Sequence, residues 1–467
     1  MKNFLLTLLA ILLLAQGYSQ SSGHNIIIKL EGYTDTLAYL GHYFGDKLSV
    51  SDTADALKGD IHFQGDESLK QGVYFLASEK KKKLFEFMVD EQQEFMLKMD
   101  LNGSPTDMEI EGSEENILFY SYLKQNKSNY ERIQGLQSAL QRLPEGSDST
   151  AIIKNRIDSI NNASIAYKLN LIDENPDALT TLLFNIMREP EIPEFFLEDG
   201  RHDSLSTYLY YRNHYWDGID FSDDRILRTP VFHRKLDRYM KHVIPKQPDT
   251  VITEIDQMVS LTKENAEMKE YLLWYFTNSY ETSKIMGHDR IFVHMVDKYF
   301  TDHTYDWLNP TVQQNLIKRV STMRKVLIGE YAPGLIMADT NNEFIALQQI
   351  DADYVIVLFW SSTCGECKRE VNSLKKFYEE TELDLEIYAV NTDTVFSDWK
   401  NYVIEKDPGW VQVNGNLSLT GDYHDLYDIY STPVIYILNR EKKIIAKRLA
   451  AEKIPEFLFM HKKNEYD

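Results

Sequence analysis

Only two cysteines occur in this chain of 467 residues, and they lie three positions apart in Cys364-Gly365-Glu366-Cys367. Two randomly placed cysteines would fall at that spacing roughly once in a few hundred chains. Because they are so close in sequence, they cannot cross-link distant parts of the chain, and a structural disulfide framework is excluded. The spacing instead favours a reactive pair of thiols.

A nearly continuous apolar run, residues 353–360, comes just before the cysteines. Such a run is typical of a central strand that is buried on both faces. Residues 368–380 predict a helix, so Cys364 is expected at a helix N-terminus, where unpaired N–H groups and the helix dipole stabilise an anion. We therefore predict that Cys364 is the nucleophilic thiolate. Cys367, one turn further into the helix and less exposed, is the predicted resolving thiol.

Charged residues around the pair bear on its redox behaviour. Glu366 lies between the cysteines, and a carboxylate so close disfavours a thiolate. This favours a more reducing pair than one with His or Pro at that position. Lys368 and Arg369 act in the opposite direction, at the surface and partly screened. A reductase of protein disulfides is therefore the favoured direction, with a disulfide oxidase or isomerase as the alternative.

The rest of the C-terminal region, residues 327–467, alternates between β and α patterns. Residues 385–390 form a second buried strand, and residues 433–438 and 443–446 predict a hairpin. A last helix is predicted for residues 452–462. This alternation is typical of an α/β domain.

Two further domains are predicted upstream. Residues 21–112 contain short β-type runs at near-regular spacing, split by Gly, Asp, Ser and Lys, which favours an antiparallel β-sandwich. From residue 113 to residue 326 the apolar positions recur at three- and four-residue steps, which predicts an all-α domain. No repeat of constant period occurs, so a solenoid is not supported.

The first twenty residues have the plan of a secretory signal peptide. Lys2 is followed by an apolar run over residues 4–15, and residues 17–20 are small and polar. The run is shorter than the roughly 20 residues of a membrane span. We therefore predict that residues 1–20 direct export to the periplasm, with an uncleaved N-terminal anchor as the alternative.

The net charge of −22 narrows the range of partners. An acidic protein repels nucleic acid and anionic membrane surfaces. No segment after the first twenty residues is apolar enough to span a membrane. We expect no nucleic-acid partner and no stable membrane insertion after signal cleavage.

The motifs Gly329-Glu330-Tyr331-Ala332-Pro333 and Phe359-Trp360-Ser361-Ser362-Thr363-Cys364-Gly365-Glu366-Cys367-Lys368-Arg369-Glu370 flank the apolar run. With that run they resemble the TlpA/ResA-like branch of the thioredoxin superfamily, which consists of exported bacterial thiol:disulfide oxidoreductases. The resemblance implies a thioredoxin fold for residues 327–467 and protein disulfides or dithiols as substrates. It also implies a membrane thiol carrier that supplies reductant. No cofactor and no metal are expected.

The same resemblance assigns roles to individual residues. It implies that Glu370 moves the proton to or from the buried thiol. It implies that Pro433 is a cis-proline lying against the cysteines, and that Thr432 offers its backbone to an extended substrate segment. Trp360 is a further candidate for contact with substrate, although packing beneath the site is the favoured interpretation.

Three positions depart from the family pattern. Thr363 stands where the family usually has Trp, and Asn372 stands where it usually has Pro. Leu358 occupies the position of the buried Asp of ordinary thioredoxin. These departures bear on redox potential and partner choice rather than on the thiol chemistry.

The upstream motifs Asn213-His214-Tyr215-Trp216, Arg228-Thr229-Pro230-Val231-Phe232 and Tyr275-Phe276-Thr277-Asn278 also form a pattern. They resemble an uncharacterised helical domain that precedes thioredoxin domains in exported proteins of Bacteroidota. The β segment resembles another domain of unknown function found with it. Neither resemblance implies an activity.

Other interpretations of the cysteine pair are less favoured. Half of a zinc site would need two more ligands, and His424 and His461 fit no common spacing. A peroxiredoxin would have Pro at position 357, which is Val357 here. A partner-binding protein that uses the fold only as a scaffold stays open as the alternative function. A metal site among His288, Asp289, His294 and Asp297 is weaker than a packing or surface role.

Overall fold

The computed structural model describes residues 23–144 and 148–466, without the side chains of residues 464–466. The predicted signal peptide, residues 1–20, lies outside the described residues. The chain forms two compact units. One contains the described residues up to Ile244 together with Leu261–Met268, and the other contains Pro245–Ser260 and the described residues from Lys269 onward.

The first unit begins with an eight-stranded sheet in the order β6-β5-β2-β3-β4-β1-β7-β8. Strand β3 pairs with β2 along its length and with β4 at its end, so it continues from one half of the sheet to the other. Apolar side chains from β1 to β7 share one core, as the alternation of inward and outward residues requires. The strands are β1 (His24–Glu31), β2 (Leu37–Phe44), β3 (Lys47–Leu57), β4 (Asp60–Gly65), β5 (Gly72–Ser78), β6 (Lys83–Val89), β7 (Glu94–Asp100) and β8 (Glu109–Glu111).

Five α-helices follow in this unit. The first begins after Ser113, whose hydroxyl accepts the Asn116 N–H and so caps the helix. The helices are α1 (Glu114–Leu140), α2 (Asp148–Glu174), α3 (Leu179–Met187), α4 (Ser204–Asn213) and α5 (Phe232–Arg238), the last continued by a π-helical turn at Tyr239–Val243.

The second unit contains further helices and the C-terminal α/β domain. Helix α7 begins in the segment assigned to the first unit and continues in the second. The helices that precede the sheet are α6 (Pro248–Leu261), α7 (Ala266–Glu281), α8 (Asp289–Tyr299) and α9 (Pro310–Met323).

The C-terminal domain is built on a seven-stranded sheet in the order β10-β9-β13-β12-β11-β14-β15. Its strands are β9 (Ile336–Asp339), β10 (Phe344–Ala346), β11 (Tyr354–Trp360), β12 (Leu385–Asn391), β13 (Val411–Ser418), β14 (Val434–Asn439) and β15 (Ile444–Lys447). Its helices are α10 (Gly365–Glu380), α11 (Phe396–Lys406), α12 (Tyr423–Tyr427) and α13 (Ile454–Tyr466). Strand β11 pairs parallel with β12 and antiparallel with β14.

Strand β11 lies between two cores. All seven of its residues are buried, because alternate side chains point to opposite faces of the sheet and both faces are covered. Val355, Val357 and Phe359 pack into one core. Ile356 and Leu358 pack into the other, which also contains Cys367. This explains why the strand reads as a continuous apolar run.

The predicted fold class is confirmed: a β domain, a helical region and a C-terminal α/β domain follow one another. The β1–β7 pair is parallel, so the first sheet is not purely antiparallel. The helix after the cysteines starts at Gly365, three residues earlier than the predicted start at Lys368. The predicted hairpin is present as β14 and β15.

Candidate active site

Cys364 is the N-cap residue of helix α10. Its backbone is extended, and its sulfur accepts the N–H of Cys367 at an N···S distance of 3.2 Å. The residue is half-buried. Its position at the end of strand β11 and the start of a helix places the sulfur where backbone N–H groups stabilise a negative charge.

Cys367 lies one turn further along and is fully buried, in contact with the core beneath the sheet. Burial raises the pKa of the Cys367 thiol to about 11, and its hydrogen bond with Cys364 adds to that effect. Both cysteines are free thiols in this structure. Cys367 therefore keeps its proton at neutral pH and needs a base before it can attack a disulfide.

The loop before strand β14 lies next to the exposed cysteine. The Thr432–Pro433 peptide bond is cis. The Cys364 sulfur lies 3.8 Å from the carbonyl oxygen of Thr432. The structure therefore brings the loop that contains Thr432 and Pro433, two of the residues predicted to contact substrate, beside Cys364, the predicted nucleophile.

Glu370 follows Cys367 by one turn, so the two share a face of helix α10. Its carboxylate accepts the N–H of Ala451 at an N···O distance of 2.6 Å. The side chain is only half-buried and borders an open groove. A backbone hydrogen bond thus fixes one oxygen of the Glu370 carboxylate.

Trp360 has no exposed surface, and this corrects its assignment to the residues that contact substrate. Its ring packs against Tyr402 with a centroid separation of 5.0 Å. Both residues belong to the core that contains Cys367. Trp360 therefore supports the resolving cysteine from beneath, which the alternation of β11 toward its two faces requires.

Glu366, between the cysteines, forms an ion pair with Arg369. Both side chains are more than half exposed, at 51% for Glu366 and 74% for Arg369, so water screens the pair. The Glu366 carboxylate and the Arg369 guanidinium, which are predicted from the sequence to have opposite effects on the thiolate, are therefore paired with each other. The net field that they exert on Cys364 is weaker than that of either charge alone.

Asp393 is a site residue that the sequence analysis missed. It accepts hydrogen bonds from the Ser361 hydroxyl (2.5 Å), the Ser362 N–H (2.8 Å) and the Asn391 side chain (3.0 Å). Burial acts to raise the pKa of Asp393, but these hydrogen bonds outweigh it and lower that pKa overall. The carboxylate therefore holds the loop that leads from β11 to Cys364. The available signal was its place after β12, since the carboxyl ends of parallel neighbours meet at one edge of the sheet.

The groove beside the cysteines has a volume of about 890 Å³. Glu366, Glu370, Tyr430 and Pro433 border it on the side of the α/β domain. Residues of helix α9 border it on the other side. Both sides belong to the same compact unit. The groove therefore lies within that unit, next to the site.

The histidines considered for metal binding have other partners. His294 Nε2 lies 3.0 Å from an Asp256 carboxylate oxygen, and His288 Nε2 lies 3.0 Å from the Lys246 carbonyl oxygen. Asp297 pairs with Arg324. Within residues 23–144 and 148–466, no three His, Cys, Asp or Glu side chains are grouped as a metal ion would require.

The sheet has parallel strands at its centre, and a Cys-x-x-Cys pair lies at a helix N-terminus beside a cis-proline loop. These features define a thioredoxin-like domain suited to dithiol–disulfide exchange. Comparison with known proteins agrees with this class. Residues 328–447 match the AhpC/TSA family. Residues 151–326 match a domain of unknown function, DUF5106.

Two curated relatives are thiol-disulfide oxidoreductases named ResA. The protein from Bacillus cereus (strain ATCC 10987 / NRS 248) is 24% identical over 145 residues, which are 30% of this chain and 80% of that protein. The protein from Bacillus subtilis (strain 168) is 29% identical over 120 residues, which are 25% of this chain and 64% of that protein.

Solved structures from Bacteroidota are also similar. A domain of a possible thiol-disulfide isomerase from Cytophaga hutchinsonii is 33% identical, with a TM-score of 0.28, and the match covers 30% of this chain and 96% of that one. A thioredoxin-like protein from Bacteroides caccae is 19% identical, with a TM-score of 0.45, and the match covers 59% of this chain and 98% of that one. On the family match and the curated relatives, the chain is a thiol:disulfide oxidoreductase, and its residues 328–447 match the AhpC/TSA family.

Proposed function

We propose that this protein is an exported, periplasmic reductase of protein disulfides that acts through the Cys364–Cys367 dithiol. The observation that carries the proposal is the pairing of a half-exposed sulfur at a helix N-cap with a buried, protonated thiol one turn away. The first can attack a disulfide from outside. The second can reach only the mixed disulfide that forms at Cys364.

The reaction proceeds in two exchanges. The Cys364 thiolate attacks one sulfur of the substrate disulfide, forms a mixed disulfide and displaces the other substrate sulfur as a thiolate. Cys367 then gives its proton to Glu370 and attacks the Cys364 sulfur, which displaces the second substrate thiolate. Two electrons pass to the substrate, the enzyme becomes the Cys364–Cys367 disulfide, and the two substrate thiolates take up protons.

Two features of the pair support the reducing direction that we propose, because both disfavour a thiolate. Strong oxidants of this chemistry are those whose reduced form is stabilised. Cys367 holds its proton, and Glu366 adds a negative charge nearby. A dithiol of this kind gives up its electrons readily.

Export is supported by residues 1–20, which have the charged start, apolar run and small polar end of a signal peptide. Among the described helices, none is long and apolar enough to cross a bilayer. A membrane-bound dithiol carrier is the reductant that we propose for restoring the enzyme's dithiol. Fractionation of the native host tests export: recovery in the periplasm with an N-terminus near residue 21 is expected, and a cytosolic protein that begins at Met1 would contradict it.

The decisive measurement is the reduction potential of the cysteine pair in glutathione buffers, with Cys364→Ser as the control. A value below roughly −220 mV supports a reductase. A value above roughly −180 mV identifies an oxidase or isomerase instead. The absence of any reversible dithiol transition would overturn the proposal in favour of a binding scaffold.

A further inference from the structure

We propose that helix α9 forms one wall of the substrate groove and that Lys318 on this helix selects disulfide substrates with an acidic residue near the reacting cysteine. The occupant is an extended segment of a disulfide-containing protein. The inference rests on the proposed function, because it identifies what that same site receives.

Helix α9 and the α/β domain both line the groove, and both belong to one compact unit. Its volume of about 890 Å³ falls within the usual range of ligand pockets, of the order of 300–1,000 Å³. The cis-proline loop borders it, and the Thr432 carbonyl of that loop lies 3.8 Å from the reactive sulfur. A substrate segment that reaches Cys364 along this loop therefore passes helix α9. The residues that α9 contributes are Asn315, Lys318, Arg319 and Thr322.

Arg319 holds this wall in place. It forms an ion pair with Glu281 of helix α7. Its guanidinium also lies 5.7 Å from the ring centroids of both Phe292 and Tyr430, within the range of cation–π attraction. Tyr430 is three residues from Pro433 and is 74% exposed. The contact therefore ties helix α9 to the loop that receives substrate.

Most charged groups of the groove are already engaged. Arg448 pairs with Asp428 at 2.8 Å. Glu366 pairs with Arg369, and Glu370 accepts the Ala451 N–H.

Lys318 differs from these groups. It is exposed, and no ion pair joins it to a carboxylate in the part of the chain that the structure describes. Asp425 of helix α12 also borders the groove and carries the opposite charge. An acidic substrate residue is thus attracted to Lys318 and repelled from Asp425. Charges at the rim of a binding surface act mainly on specificity and association rate, and salt weakens them.

The test uses the full chain, reduced beforehand, and two disulfide peptides that differ only in Glu or Lys beside the reacting cysteine. The wild-type protein is expected to reduce the Glu peptide about five-fold faster, measured as the second-order rate constant for oxidation of the reduced protein at low salt. Lys318→Glu is expected to reverse this preference. Lys376→Glu is the matched control, because Lys376 is also exposed on a helix of this unit but lies outside the groove; it is expected to keep the wild-type preference.

Two further readouts separate the inference from the proposed function. The preference is expected to vanish at about 1 M salt, where the screening length is about 3 Å. Reduction of 2,2′-dithiodipyridine, which is small and uncharged, is expected to be equal in all three proteins. Equal use of both peptides by wild-type and Lys318→Glu proteins, with the small disulfide still reduced, would overturn the α9 inference alone. Failure of the wild-type protein to reduce any disulfide would overturn the proposed function.

Discussion

At the scale of single residues, burial distinguishes the two cysteines of the site. Cys364 and Cys367 have the same chemistry, yet one caps helix α10 and the other is enclosed by the core. Burial is also what raises the pKa of Cys367 to about 11. Below that pH its thiolate fraction rises tenfold with each pH unit. In the proposed reaction the second exchange is therefore the step that depends on a base, and we propose Glu370 as that base.

We predict that Glu370→Gln slows resolution of the mixed disulfide by about 100-fold at pH 7. Glutamine can still accept the Ala451 N–H, so the fold should persist. The deficit should shrink as pH rises toward 11, because Cys367 then ionises without help. Stopped-flow release of pyridine-2-thione from 2,2′-dithiodipyridine separates the two exchanges. An equal slowing of the first and second release would argue against a role in proton transfer.

At the scale of elements, the junction between strand β11 and helix α10 determines where the nucleophile lies. The Thr392 N–H donates to the Trp360 carbonyl at 2.8 Å, so the end of β12 supports the end of β11. Asp393 then binds Ser361 and Ser362 in the connecting loop. The loop is thus fixed by its neighbouring strand rather than by its own residues alone.

We predict that Asp393→Asn destabilises the protein by about 1–3 kcal/mol at pH 7. The N–H₂ group of the asparagine would face a hydrogen-bond donor instead of accepting from it. The pKa of Asp393 is lowered by folding, so its contribution is complete above the unfolded pKa of about 4 and is lost as pH falls through the folded value. Urea unfolding at several pH values measures the difference from wild type, which should narrow below about pH 4. Asp302→Asn, an exposed control, should show no difference, and a gap for Asp393→Asn that is constant with pH would contradict the assignment.

At the scale of the whole molecule, the contacts divide the helical region. Residues 113–244 group with the β domain, and most of residues 245–326 group with the α/β domain. The match to DUF5106 extends over helices of both units. Within the second unit, Lys447 of strand β15 forms an ion pair with Asp289 at the start of helix α8 and donates to the Val326 carbonyl at 2.6 Å. A buried charge thus joins the helices to the sheet.

We predict that Asp289→Ala lowers the free energy of unfolding by about 3–5 kcal/mol, because it leaves Lys447 buried without its counter-ion. Burial already lowers the pKa of Lys447 against the opposing effect of Asp289. The double variant Asp289→Ala/Lys447→Met should recover much of the loss, since it removes the stranded charge. A urea-unfolding double-mutant cycle measures the coupling. Equal losses in the single and double variants would show that the pair does not join the two elements energetically.

Local sequence patterns were enough to predict the local features of this protein. The apolar run of β11 predicted a buried strand because both faces of that strand are covered, so every residue of the strand is apolar. The cysteine pair could be predicted as reactive because its chemistry depends on a spacing of three residues. Its expected position at a helix N-terminus followed from the change of periodicity just after it. Family resemblance added Pro433, whose role depends on a loop 66 residues further along the chain than Cys367.

The features that join distant segments depend on how the whole chain packs. Asp393 lies 32 residues from its partner Ser361, and Lys447 lies 121 residues from its partner Val326. The burial of Trp360 and the groove with helix α9 depend on segments separated in the same way. Periodicity in one sequence reports whether a residue is buried, but not which distant residue covers it, because that pairing follows from the packing of the complete chain.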